Sequence, residues 1–322
     1  LKFAIIGAGM AGLSCASVLK AAGHAVMLFD KGRGPGGRMS TRRLETPLGD
    51  VFMDHGAQYF TARDPGFQRE VEKWREKGTV RTWPIAAADA WIGTPGMNAV
   101  IRQMTEGHDV LWGCQIAGMM RKLDQWWLID QNCTSGPFDA VILATPAEQA
   151  AVLLSLHDLE MARIALTARS EPCWTSMLVF DQPLPAPQPV IRKRGIISWA
   201  ARNSAKPGRN GPEAWVVQAS AFWSRSQIEA TPDGVSAYLG TALAKALGKE
   251  IPEPIVAVSH RWRYAIAAGT GDGALWNGQI GIGTCGDWLL GPRVESAWLS
   301  GRMLADRCIA DSQLLPVPSS YQ

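Results

Sequence analysis

The stretch Leu1-Lys2-Phe3-Ala4-Ile5-Ile6-Gly7-Ala8-Gly9-Met10-Ala11-Gly12-Leu13 decides the fold. Its apolar run Ala4 to Ile6 reads as a buried β-strand that stops at Gly7, and Met10 to Ala22 then reads as a helix. A second apolar run, Ala25 to Phe29, ends on Asp30. The spacing predicts strand, tight turn, helix and parallel strand, the βαβ unit that binds a dinucleotide. In that unit Gly7 permits the turn, Gly9 leaves bare backbone for a pyrophosphate, and Gly12 lets the helix close on the strand. The helix then starts at Met10 and Ala11 with free N–H groups facing the phosphates. Asp30 lies roughly 20 residues beyond Gly7, where an acid accepts from ribose hydroxyls. A glycine-rich turn in some other α/β protein leaves Asp30 unexplained. The unit alone does not separate NAD from FAD.

The rest of the chain sets bounds. At 322 residues, with 47% hydrophobic and 19% charged residues, it predicts two domains with ample core. A net charge of +3 and the lack of a long Lys/Arg block speak against a nucleic-acid or membrane surface. No apolar run has the length of a membrane span, and the short N-terminal one reads as the first strand rather than a signal sequence. A cytoplasmic location is the default expectation. Cysteines 15, 114, 133, 173, 285 and 308 form no C-x-x-C pair or metal-ligand spacing, so buried free thiols and no metal site are expected. Most of the 14 tryptophans are expected in packing, with one or two left to line a pocket for a planar ligand.

Beyond Asp30 glycine and arginine concentrate in Lys31 to Arg43, with Gly36-Gly37-Arg38 placed to wrap phosphates from the side opposite the helix. An NAD dehydrogenase has no need of this loop. It is the pattern of glutathione reductase-like flavoproteins of the amine oxidase type, and it moves the balance to FAD. A helix is expected over 66–77 and a short one over 99–104. Val110–Trp112, Gln115–Arg121, Trp126–Asp130 and Phe138–Ala144 read as strands, resembling the antiparallel crossover of those flavoproteins, the last being the return to the parallel sheet. From Ala147 to Asn277 no nucleotide motif appears. Strands are expected over 175–180, 195–201, 214–221 and 254–262, and a helix over 235–247. Ile280 to Asp287 then reads as a strand ending in Gly286-Asp287, followed by a helix from Val294 to Ile309. In the flavoprotein pattern Asp287 sits beside the ribityl chain and the helix N-terminus faces the flavin; a turn or N-cap residue is the plainer reading of Asp287.

These segments together resemble the bacterial renalases, flavoproteins related to the amine oxidases. The resemblance runs nearly end to end, through Gly7–Leu13, Phe29–Lys31, Gly36–Ser40, Gly56–Asp64, Pro95–Met97, Ala201–Asn203, His260–Trp262, Tyr264–Ala265, Cys285–Trp288, Arg293–Glu295 and Ala297–Gly301. It implies an α/β fold with a Rossmann-like FAD-binding domain of the glutathione reductase/amine oxidase type, discontinuous over 1–60, 95–146 and 278–322. A second, α+β substrate domain would cover 61–94 and 147–277. It implies noncovalent FAD held by Gly7, Gly9, Met10, Ala11, Gly12, Asp30, Lys31, Gly37, Arg38, Gly56, Ala57, Met97, Ile116, Ala144, Thr145, Gly286, Asp287, Val294 and Glu295. Gln58, Tyr59, Phe60, Thr61, Trp288 and His260 would contact substrate, with Trp262 nearby and Arg63 and Arg202 as candidates for its phosphates. For Tyr59 and Phe60 the competing reading is a buried aromatic pair, and for His260 a hydrogen-bonded structural residue. No residue is singled out as catalytic. The implied reaction is oxidation of 2- and 6-dihydro isomers of NAD(P)H, with dioxygen as acceptor and hydrogen peroxide as product. A true amine oxidase and a flavin-binding module without turnover are the alternatives.

Overall fold

The computed structural model describes residues 1–131 and 133–312. Packing divides the described residues into two units: one gathers Leu1–Pro35, Met104–Arg169 and 267–312, the other Gly36–Gln103 and Ser170–Ile266.

In the first unit six strands form one sheet in the order Leu275–Asn277, Ile282–Thr284, Ala140–Leu143, Lys2–Ile6, Ala25–Asp30, Asp109–Trp112. Only Leu275–Asn277 pairs antiparallel with its neighbour. Lys2–Ile6 has Ala25–Asp30 on one side and Ala140–Leu143 on the other, with Ile5 level with both Leu28 and Ile142. Strand order therefore reverses at Ile6, and in open α/β sheets ligands bind where it does, outside the carboxyl ends. Ala4, Ile5, Ile142 and Leu143 are buried on both faces, as an interior parallel strand requires. The helix Met10–Ala21 packs on the terminal helix Val294–Ser312, where Ser14 Oγ donates to the Trp298 carbonyl at 2.8 Å.

Three expectations for this unit are corrected. Asp109–Trp112 is the edge of the parallel sheet, paired with Ala25–Asp30, and only Gly118–Lys122, Gln125–Ile129 and Thr134–Phe138 form the antiparallel crossover. The expected return strand Phe138–Ala144 is split at Asp139, whose N–H donates to the Lys2 carbonyl and whose carboxylate accepts from the Lys2 N–H. That exchange turns the chain from one sheet into the other. Helices Ala147–Leu154 and Leu159–Thr167, which the sequence pattern assigned to the substrate domain, pack in this unit. A signal for the second was present, since Asp158 caps it by accepting from the Met161 N–H.

In the second unit a five-stranded sheet runs in the order Val190–Arg194, Ile197–Arg202, Glu213–Ala219, Ser170–Phe180, Val256–Ala267. Helix Pro232–Leu247 covers one face through Val235, Leu239 and Leu243. Thr231 caps its start, and Gly248 in the left-handed region (φ 66°) closes it. Helix Pro65–Glu76 begins on the Asp64 cap and buries Phe67, Val71 and Trp74, one helical face at i, i+4, i+7. All six cysteines are free; five are buried as expected, and Cys133 is exposed.

Candidate functional site

In the first unit the predicted nucleotide residues converge at the strand-order reversal. Gly7 (φ +108°) makes the turn, and a Cβ on Gly12 would stand 1.9 Å from the Gly7 carbonyl oxygen and 3.1 Å from the Ala144 Cβ. Around Gly9, by contrast, a Cβ would meet nothing within 4 Å, and Gly9 as N-cap gives helix Met10–Ala21 no side-chain cap. The first-turn N–H groups of Met10 and Ala11 thus face space that an anion can enter. Asp30 holds the turn: its carboxylate accepts from the Ala8 N–H at 2.8 Å and from the Gly32 N–H at 2.7 Å. An ionised carboxylate has about four acceptor sites, so two remain for ribose hydroxyls.

Ala144 and Thr145, half-buried, follow the central strand, while Gly286 is fixed by donating to Ser300 Oγ at 2.9 Å. Asp287 and Glu295 are buried, Val294 opens the terminal helix, and Ile116 packs against the core. Lys31 is exposed. Trp288 is corrected: it is 1% exposed within the core and its indole N–H donates to the Thr145 carbonyl at 3.2 Å, so it supports the Ala144-Thr145 loop instead of lining a pocket.

In the second unit Gly37–Met39 forms a single helical turn, and the Ala57 N–H donates to the Arg38 carbonyl at 2.8 Å. A Cβ on Gly56 would lie 2.0 Å from that oxygen, so Gly37, Arg38, Gly56 and Ala57 form one tight crossing. Beneath it lies a feature the sequence did not announce. Asp54, fully buried, accepts from Thr41 Oγ1 at 2.8 Å and the Met97 N–H at 2.9 Å through one oxygen, and from Lys206 Nζ at 3.1 Å and Arg209 Nη2 at 2.6 Å through the other. One carboxylate thus serves two buried cations. Burial alone raises the Asp54 carboxyl, but Lys206, Arg209 and the bonds from Met97 and Arg209 outweigh it and hold it below the ordinary range. Burial pushes Lys206 down to about 8, against the pull of Asp54 and with the push of Arg209. Arg209 keeps the carboxylate ionised, and Lys206 is the group that can release its proton.

The same network corrects two substrate assignments. Gln58 is buried: its amide donates to the Asp54 and Gly56 carbonyls at 2.6 and 3.1 Å, and its oxygen accepts from Lys206 Nζ at 3.1 Å. Phe60 is 4% exposed, exchanges backbone bonds with Trp91, and packs against Phe67 and Trp74. Both brace the loop from inside, while Tyr59 and Thr61 remain half-exposed. Met97 is also buried, its N–H committed to Asp54. Arg202 pairs with Glu213 at 2.9 Å and lies over Trp215, which removes it from the phosphate candidates; Arg63 is exposed.

His260 is half-buried, its ring 4.4 Å from Trp262 and 5.1 Å from His55, while the Trp262 indole N–H donates to the His55 carbonyl at 2.9 Å. Burial, His260 and Arg42 push His55 from 6.5 down to about 4. The folded protein therefore keeps His55 neutral where the unfolded chain binds a proton. Stability from this group is full above pH 6.5 and is lost as pH falls through about 4. His55→Gln should flatten that part of a stability-versus-pH curve measured by urea unfolding; an unchanged slope would assign the loss to other groups.

A groove of about 610 Å³ between Arg194–Ile196 and helix Pro232–Leu247 contains none of these residues. Among the described residues no group of three or more His, Cys, Asp or Glu is placed to hold a metal ion, and no helix is long and apolar enough to cross a membrane.

The sheet, its glycine turn and its acid define a dinucleotide-binding oxidoreductase fold. Residues 5–74 match the model of an NAD(P)-binding Rossmann-like domain, and residues 84–309 match that of flavin containing amine oxidoreductases. The second match covers more than half of the chain, which belongs to the flavin-containing amine oxidoreductase family. Similar solved structures include a candidate protoporphyrinogen oxidase from Exiguobacterium sp. 255-15, with a TM-score of 0.77 at 12% identity over 97% of this chain and 99% of that one. Putrescine oxidase bound to putrescine gives 0.72 at 14% over 96% and 99%, and cyclohexylamine oxidase from Brevibacterium oxydans IH-35A gives 0.71 at 11% over 97% and 99%. At these identities the likeness is one of fold. The family implies a flavin, and the open approach at Gly9, the uncapped helix start and the spare acceptor sites of Asp30 fit its dinucleotide portion.

Proposed function

We propose that this protein is a renalase-like oxidase that holds FAD noncovalently and oxidises 2- and 6-dihydro isomers of NAD(P)H to NAD(P)+. Bound flavin supplies the hydride acceptor and returns the electrons to dioxygen, giving hydrogen peroxide. The first unit's part is to hold the pyrophosphate at Gly9, Met10 and Ala11 and the ribose at Asp30, with Thr145, Gly286, Asp287 and Glu295 as further contacts. In the second unit the Gly37-Arg38 turn and the Gly56-Ala57 crossing lock one loop. Its Tyr59 and Thr61 offer the substrate a surface whose backbone is braced by Gln58 and Asp54.

One observation carries the choice of substrate: the half-exposed Tyr59 lies 5.4 Å from Trp199 with the two rings tilted by 39°, and the charged groups over this aromatic set are the cations Arg192 and Lys206. Hydride transfer from a dihydronicotinamide asks for a planar surface and exclusion of water and has no need of a protein base. Anaerobic mixing of the flavoprotein with 6-dihydro-NAD should bleach the flavin absorbance within seconds, and a flavin that stays oxidised would exclude the reading. The second reading, oxidation of an amine, is favoured by the family match and the likeness to putrescine oxidase. It predicts peroxide release from a panel of primary and secondary amines.

A further inference from the structure

Three segments of the second unit meet around Trp199. Its ring lies 5.4 Å from Tyr59, 6.4 Å from Trp83 in an edge arrangement, and 4.8 Å beneath the Arg192 guanidinium. Arg192 also donates through Nη2 to the Ala86 carbonyl, a neutral partner, which fixes its reach, and it forms no ion pair among the described residues. Trp83 is 1% exposed, and Lys206 Nζ stands 5.3 Å from its ring.

Two facts point to a ligand. The indole N–H groups of Trp83 and Trp199 are both buried, and neither donates to an acceptor among the described residues. A buried donor without an acceptor is costly, so this pair calls for one. The second fact is charge. Lys206 and Arg209 share the single carboxylate of Asp54, which leaves one positive charge over, and Arg192 adds another over the Trp199 ring. A field of that sign repels an ammonium ion and attracts a phosphate.

We propose that Arg192, with the Trp83 and Trp199 indole donors, forms an anion subsite that takes a phosphate group of the dinucleotide substrate and selects it over amines. The inference rests on the dihydronicotinamide reading above and adds the residues that carry its selectivity. Arg192 supplies the charge-assisted bond and Trp199 an N–H donor, while Tyr59 beside Trp199 offers the planar surface.

The test is calorimetric titration of the flavin-loaded protein with NAD+ at several salt concentrations, for wild type, Arg192→Ala and Trp199→Phe. Arg192→Ala should weaken binding about 10- to 100-fold and flatten its salt dependence, the loss expected of one charge-assisted contact. Trp199→Phe keeps the ring and loses the donor, and should weaken binding about 3- to 10-fold without changing the salt slope. Both variants should keep the wild-type melting temperature to within about 4 °C, since Arg192 is exposed and the phenyl ring replaces most of the indole. A folded Arg192→Ala protein that binds NAD+ with wild-type affinity and salt slope overturns the subsite while leaving the reaction standing. Wild type that neither binds NAD+ nor is reduced by 6-dihydro-NAD overturns the reaction, and the subsite with it.

Discussion

Gly12→Ala should leave a protein that purifies without its yellow colour. The added methyl would stand 1.9 Å from the Gly7 carbonyl oxygen, inside the shortest approach that backbone permits. Neither partner can step aside, because Gly7 already makes the turn at φ +108° and Ala144 presses from the other side. Overpacking of this kind costs about 3 kcal/mol, roughly a hundredfold in flavin affinity once the turn no longer presents its N–H groups. Gly9→Ala is the informative comparison. Its methyl meets nothing within 4 Å, so folding should be unchanged while flavin affinity falls, because the methyl occupies the approach reserved for the pyrophosphate. Titrating each apoprotein with FAD by fluorescence quenching checks both, and a Gly12→Ala protein with wild-type affinity would remove the turn from the binding site.

The second large effect lies in the Asp54 network. Asp54→Ala removes the carboxylate that four donors share, leaving Lys206 and Arg209 as buried cations with neutral acceptors and no carboxylate between them. Breaking a buried ion pair by deleting one partner costs about 3–5 kcal/mol, against a total stability of about 5–15 kcal/mol for most domains. The urea unfolding midpoint should drop accordingly. Lys206→Met is the counterpart, since it leaves Asp54 and Arg209 as a one-to-one pair and should be near neutral or stabilising. The pH dependence has opposite signs for the two groups. Asp54 has a folded pKa below its unfolded value, so its contribution is present above the unfolded value and is lost as pH falls through the folded one. Lys206, lowered from 10.5 to about 8, binds its proton more weakly when folded, so stability should rise as pH climbs from about 8 to 10.5. Lys206→Met should abolish that rise, and a rise that persists would assign it elsewhere.

Asp54 and Gln58 show where sequence reading stops. Gln58 lies in the stretch that marks the family resemblance, where a polar residue invites a substrate role, and Asp54 stands two residues before that stretch. Their partners Lys206 and Arg209 come from a loop about 150 residues away, and no periodicity links such positions. Trp288 differs from its sequence reading for a related reason. Next to Gly286-Asp287 an indole looks like a pocket wall, and only the Thr145 carbonyl, brought beside it by the pairing of Ala140–Leu143 with Ile282–Thr284, gives its N–H a partner inside. Val110–Trp112 reads as a crossover strand but pairs in the parallel sheet, because an isolated apolar strand carries no mark of its neighbour.

What the amino-acid sequence determined by itself is local: the glycine turn, the acid at the end of the second strand, and the caps and apolar faces of the longer helices, including Asp64 with Phe67, Val71 and Trp74. Each depends on backbone freedom or on neighbours within a few residues, so chain order contains the cause. Tertiary structure alone decided which side chains face inward and which charges share a partner. Those outcomes follow from desolvation and pairing between segments distant in the chain, and only folding brings such groups within reach of one another.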